Sequence, residues 1–183
     1  MVTSREPAGR LASAGQVAPG GLEQVRELLN SWLIPNDTRQ PEDRFAELAS
    51  RRRWTRRDAE LVRELRDDLR RVVEDGGTAA ADDLTSWIDR LGMRPAITGG
   101  HITYRHDGSP AADTLATVMA AISAGTWVRL KACPDCRWAF YDNTRNGSKR
   151  WCLMTAGGSD GRSCGTIAKV RRYRHRQAAA QAG

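Results

Sequence analysis

Cys133-Pro-Asp-Cys136, followed by Trp138, Phe140 and Tyr141, then Arg150-Trp151-Cys152, then Cys164-Gly165 and the run Lys169-Val-Arg-Arg-Tyr-Arg-His-Arg176, hold all four cysteines of the 183-residue chain. A Cys-x-x-Cys closes a tight turn that aims two sulfurs at one point, and two further cysteines complete the four thiolates of a closed structural zinc site. None is left over.

The residues between the sulfurs predict how they are brought together. Arg137 to Tyr141 alternates and is aromatic, as a strand is; Asp142-Asn143-Thr144 and Asn146-Gly147 are turn formers, and Lys149 to Trp151 is expected to return as a second strand. Cys164-Gly165 then opens a helix expected over about residues 166–179, and exposed amides at a helix start lower the pKa of a thiol placed there. Cys-x-x-Cys, hairpin, third Cys and a fourth Cys opening a helix is the order of a treble-clef zinc finger. So small a segment cannot hold itself together by burial alone, so the metal is expected to supply much of its folding free energy. Two other uses of the cysteines remain open at this point: an iron–sulfur cluster on all four, or a redox pair at Cys133 and Cys136, which lacks the βαβ context such pairs occupy.

Charge singles out the same segment. Residues 1–132 carry 19 Lys+Arg against 19 Asp+Glu, whereas residues 133–183 carry 10 against 3, so the whole net charge of +7 lies with the cysteines. A cationic segment beside a metal-ligand pattern is expected where a polyanion is met, double-stranded DNA above all; a plain solvated tail is the simpler reading. The DNA candidates are Lys149, Arg150, Lys169, Arg171, Arg172, Arg174 and Arg176, with 169, 172 and 176 along one helical face and 171 and 174 beside them. Such contacts give affinity and salt dependence but little base choice.

Working outward, the rest of the chain predicts an α+β fold: a mainly helical amino-terminal domain over 21–132 with one small β-hairpin, docked directly on a zinc finger over 133–183. Leu22, Val25, Leu28, Leu29 and Trp32 recur at helical spacing up to Pro35, and a short helix is expected from Pro41 to about Ser50. Thr55 and Asp58 offer a capping box to a long helix whose apolar face is Leu61, Val62, Leu65, Leu69, Val72 and Val73, ended by Gly76-Gly77. Another helix starts near Asp82 or Asp83 with Leu84, Trp87, Ile88 and Leu91 and stops at Gly92. Arg94–Thr98 and His101–His106, joined by Gly99-Gly100, predict the hairpin. Pro110 and Asp113 open a helix with Leu115, Val118, Met119 and Ile122. Met1 to Gly20 has no apolar block and reads as a disordered lead-in rather than a secretory signal. No apolar run approaches the roughly 18 residues of a membrane span, so a reducing cytoplasm, where clustered thiols hold metal, is the expected compartment.

The carboxyl-terminal segment resembles the CGNR zinc finger, a treble-clef module of bacterial proteins whose amino-terminal domain is called ABATE. Trp138, Phe140 and Asp142 match its Trp-x-Phe-x-Asp; Arg150-Trp151-Cys152 and Met154 match its Arg-Trp-Cys-x-Met; Cys164-Gly165 with Lys169, Arg171, Arg172 and Arg174 matches its end. Leu28-Leu29-Asn30-Ser31-Trp32 and the helix from Asp58 to Val73 are similar in position to ABATE features. Thr166-Ile167 replaces the family's Asn-Arg, and about seven extra residues around 156–162 lengthen the last loop, an insertion that costs little closure entropy. The resemblance implies a transcription regulator holding Zn2+ on Cys133, Cys136, Cys152 and Cys164, with a small-molecule ligand as the signal for the first domain. A module in which zinc only stiffens the fold and the basic helix docks an acidic protein is the competing expectation. No nucleophile or acid–base pair stands at motif spacing, which predicts a protein that is not an enzyme. His101 and His106 are read as structural, and Trp32, Trp54 and Trp87 as core more than pocket.

Overall fold

The computed structural model describes residues 16–35, 38–76, 81–152 and 163–181. Six helices lie among them: α1 (Leu22–Leu29), α2 (Phe45–Arg52), α3 (Arg56–Glu74), α4 (Ala81–Arg90), α5 (Pro110–Ser123) and α6 (Cys164–Gln181). Three two-stranded antiparallel sheets accompany them: β1 (Trp32–Leu33) with β2 (Glu42–Asp43), β3 (Arg94–Thr98) with β4 (His101–Arg105), and β5 (Leu130–Ala132) with β6 (Ala139–Tyr141). The α+β class with a helical first part is therefore present, as expected.

α3 is the longest helix and the centre of the body. Thr55 caps it, its hydroxyl accepting from the amide of Asp58, and Asp58 returns a carboxylate to that hydroxyl at 2.7 Å. Val62, Leu65, Leu69, Val72 and Val73 recur at steps of three and four and are all buried, meeting Val25, Leu28 and Leu29 of α1 and Leu115 and Val118 of α5 in one core. Ser109 caps α5 through the amide of Ala112, with Pro110 in the first turn, where its missing N–H costs nothing. The β3–β4 hairpin turns on Gly99 and Gly100, both at positive φ (58° and 79°), as the two-residue turn requires.

The departures from expectation have local causes. The second helix begins at Phe45 rather than Pro41, because Glu42 and Asp43 pair with Trp32 and Leu33 and the Asp43 carboxylate then takes the Phe45 amide. Trp32 consequently belongs to β1 and not to the first helix. Gln16 and Ala18, in the stretch read as a disordered lead-in, are buried, so that lead-in packs against the body from residue 16 on. Asn36, Asp37, Gly77, Met154 and the 156–162 loop lie outside the described residues.

One departure bears on function. The strand after the first sulfur pair, β6, was expected to pair with Lys149–Trp151; it pairs with β5, Leu130 opposite Tyr141 and Ala132 opposite Ala139. Residues 142–150 form no strand and instead wrap around the buried Asp142. Its carboxylate accepts from the Lys131 ammonium (2.8 Å), the Lys149 amide (2.7 Å) and the amide and hydroxyl of Thr144 (3.0 and 2.5 Å). Burial works to raise this carboxyl's pKa, but the ammonium, the hydroxyl and the two amides outweigh it and hold it at about 2.

Candidate metal centre and basic helix

The β5–β6 hairpin carries Cys133 and Cys136 at its tip. The Cys133 amide donates to the Trp138 carbonyl (2.9 Å) and the Arg137 amide to the Cys133 carbonyl (2.8 Å), closing a knuckle in which Arg137 takes a left-handed φ of 57°. Cys152 reaches the same point at the end of the loop folded on Asp142, and Cys164 is the first residue of α6. Buried Ser163 caps that helix, its hydroxyl accepting from the Thr166 amide at 3.2 Å, which is why α6 starts two residues earlier than expected.

The four sulfurs lie within 4.8 Å of one another, all but fully buried. Cys136 Sγ stands 3.5 Å from Cys152 Sγ, which is 3.7 Å from Cys164 Sγ. These are not disulfides, since all four cysteines are free and a bonded pair stands at about 2.05 Å. A tetrahedral ion with Zn–S bonds of about 2.3 Å has edges of about 3.8 Å, so the set fits one four-coordinate ion. A multi-iron cluster would spread the thiolates wider, which removes that expectation. Phe140 is wholly buried beside the sulfurs, with Trp138 and Trp151 half-covering them.

Crowding sets the electrostatics of this site. Hydrogen bonds from the other three thiols push Cys133 down. Contact with Cys133 works against ionising Cys136, while Cys152 and Cys164 favour it and leave it at about 7. Cys152 and Cys164 are both pushed up, chiefly by Cys133. The helix start was expected to lower Cys164; the neighbouring sulfurs outweigh it. Four thiolates at such spacing need a divalent cation among them to be ionised together.

Residues 129–177 match the family model of the CGNR zinc finger. This segment is a CGNR zinc finger. No curated protein matches the chain. The family match begins at Arg129 and so takes in β5, in keeping with the observed hairpin.

The finger is clamped to the helical body. The Asn30 side chain pairs with the Ala139 backbone in both directions, donating to its carbonyl (2.8 Å) and accepting from its amide (2.7 Å). Arg70, buried on α3 and stacked 4.3 Å over Trp32, donates to the carbonyls of Leu29 (2.7 Å), Trp32 (3.1 Å) and Arg137 (3.3 Å) and pairs with Glu74. Arg39 holds the carboxylate and carbonyl of Asp135 inside the Cys-x-x-Cys turn, Ile34 donates its amide to the Cys136 carbonyl, and the Gln16 amide side chain reaches the Cys152 carbonyl. Docking of the two parts was legible in the missing linker; these partners were not. Arg70 and the buried Arg66, which forks onto both oxygens of Asp43 at 2.7 and 3.0 Å, did leave a signal: they stand four and eight residues past Val62, within the apolar stripe.

Of the residues proposed for DNA, Lys169, Arg172, Arg174 and Arg176 are exposed on α6, and Arg150 is exposed beside Cys152. Lys149 is half-buried with its ammonium 5.6 Å from the centre of the Phe140 ring. At about 100° per residue, Lys169, Arg172 and Arg176 share a face of α6, as expected from their spacing, whereas Arg174 lies about 140° from Lys169, on the far side of the helix and not beside the other three. His101 is exposed and His106 lies 3.6 Å from Asp113. Trp87 is buried and donates to Asp68 (2.7 Å), while Trp54 packs on Phe45. Among the described residues, no helix is long and apolar enough to cross a membrane.

Proposed function

We propose that this protein is a DNA-binding transcription regulator of the cytoplasm, a binding protein rather than an enzyme. Zn2+ on Cys133, Cys136, Cys152 and Cys164 fixes the β5–β6 hairpin to the start of α6, and the helix beyond that start is offered to the phosphate backbone of duplex DNA. The supporting observation is the state of that helix. Residues 164–183 contain no acidic residue, and Lys169, Arg172, Arg174 and Arg176 are exposed, with no carboxylate paired to them among the described residues. A helix of about 27 Å that exposes its cations, with Val170 and Tyr173 exposed between them, gains little from packing and much from a polyanion. Arg150 extends the patch from the neighbouring loop. Trp32, Asn30 and α3 belong to an ABATE-like helical part whose role is to sense a small molecule and alter how the finger is presented.

Titrating the full-length, zinc-loaded protein with duplex DNA across a salt series tests this. Binding is expected to weaken steeply with salt, by about 0.9 in log–log slope per phosphate contacted. Replacing Lys169, Arg172 and Arg176 together by alanine is expected to flatten the slope by about 2 to 3 and leave the metal content unchanged. A flat salt response in the parent protein, or no binding at low salt, overturns the reading and leaves the acidic-protein partner.

A further inference from the structure

Away from the finger, the base of the β3–β4 hairpin, the end of α4 and the turn before α5 enclose an open cleft of about 500 Å³, lined by Leu91, Gly92, Arg94, Pro95, Arg105, His106 and Asp107. That volume is in the range of small-molecule sites. Its chemistry is unusual for a structural surface. Arg94 and Arg105 are direct cross-strand partners, which holds two guanidinium groups side by side on one face of the hairpin, and like charges so placed destabilise a strand pair. Neither is in an ion pair among the described residues, although Arg90 nearby is paired with Glu64 at 2.6 Å. From Met93 to His106 the chain has no acidic residue at all. The hairpin has no packing need for arginines there, since both are exposed.

We propose that this cleft binds a small organic carboxylate with an apolar body. The two arginines stand against the carboxylates of Asp107, which lines the cleft, and Asp113, which lies 3.6 Å from His106, and a paired guanidinium site of this kind suits a ligand with one carboxylate. Asp107 is itself occupied, accepting from the Ser109 amide at 2.9 Å, so it does not neutralise the arginine pair. The planar fork of a guanidinium matches a carboxylate with two parallel hydrogen bonds, and Leu91 and Pro95 supply an apolar wall for the remainder of the molecule. His106 also lines the cleft, its Nδ1 3.2 Å from the Gly108 amide and 3.6 Å from the Asp113 carboxylate, so its ring is held in place at the wall. The inference gives chemical content to the ligand-sensing role proposed above for the helical part, and it stands apart from DNA contact, so it is tested without DNA.

The test is a titration of the zinc-loaded, full-length protein with sodium benzoate, followed by backbone amide shifts in a two-dimensional NMR spectrum, with neutral benzamide as the control. Saturable shifts are expected at residues 91–95 and 105–107, half-complete below about 10 mM, the range of a fragment-sized ligand. Benzamide is expected to leave them unmoved. Arg94→Gln and Arg105→Gln, both at exposed positions, are each expected to weaken binding at least about tenfold with the rest of the spectrum unchanged, whereas Arg172→Ala on α6 has no effect. The proposal fails if benzamide produces the same shifts, if both glutamine variants retain binding, if the shifts fall on α6 instead, or if the parent protein shows none up to about 50 mM.

Discussion

The helical body and the finger are held together by opposite means. In the body, Leu29, Val62, Leu65, Leu69, Leu115 and Val118 are essentially inaccessible, and at about 25 cal/mol per Å² such burial is the main favourable term. In the finger the buried cluster is one phenylalanine and four cysteines, a core too small to offset the entropy of ordering the chain. Where apolar area is scarce, buried polar contacts take over, and the four cysteines stand where an ion would add metal–thiolate bonds. The β5–β6 hairpin belongs to both: Leu130, Ala139 and Tyr141 pack into the body's core, while Cys133 and Cys136 project from its tip. One half of the cysteine cluster is thus carried by a hairpin rooted in the body, while Cys152 and Cys164 come from segments outside that hairpin, tied to the body by Gln16 at the Cys152 carbonyl.

Removing the metal should break this comparison most visibly. Structural zinc contributes on the order of 10–16 kcal/mol to small fingers, so chelation or Cys164→Ser is expected to abolish amide protection in α6 and around Cys152 while α1, α3 and α5 keep theirs. Hydrogen exchange with metal analysis checks it; loss of protection in α3 along with α6 would show a single cooperative unit. Zinc stoichiometry is expected to fall from one per chain to none.

Next in size is Asp142→Asn. The carboxylate satisfies an ammonium, a hydroxyl and two amides, and hydrogen bonds to a charged group contribute about 1.5–3 kcal/mol, so the variant is expected to lose about 2–3 kcal/mol at pH 7. Its folded pKa of about 2 lies below the unfolded value near 4. The carboxylate's contribution is therefore complete above about pH 4 and is lost as pH falls toward 2. Denaturant unfolding should give a constant gap between parent and variant from pH 7 to about 5; a gap already shrinking between pH 7 and 6 counts against this account.

The smallest expected effect sharpens the boundary. Asn30→Ala removes both hydrogen bonds to the Ala139 backbone and leaves a buried donor without its partner, at a cost of about 1–2 kcal/mol. Exchange at β6 should quicken about tenfold, with zinc retained and α6 still protected. If α6 loosens to the same degree as β6, the clamp also positions the metal's second half.

Much of the body was legible because its signals sit inside single segments. Thr55 with Asp58, Val62 to Val73 at helical spacing, and Gly99-Gly100 between alternating strands each specify their element without reference to anything distant. The four cysteines were legible for a related reason, since their number and spacing suit a single four-ligand site and leave none over. Arg66 and Arg70 stood in the apolar stripe of α3, but whether an arginine there is buried depends on acceptors supplied by Asp43, Leu29, Trp32 and Arg137, up to 67 residues away.

By itself, then, the sequence determined the existence of the helices and the Thr55–Asp58 cap of α3, the hairpin at Gly99-Gly100, the identity of the four sulfurs and the concentration of positive charge around them. Tertiary structure alone decided which strand β6 joins, that Asp142 becomes the hub of a loop, and that Asn30 and Arg70 tie the finger to the body. The reason is physical: a helix satisfies its backbone within its own segment, whereas a strand's hydrogen bonds and a buried charge are completed by groups that only the folded chain brings near.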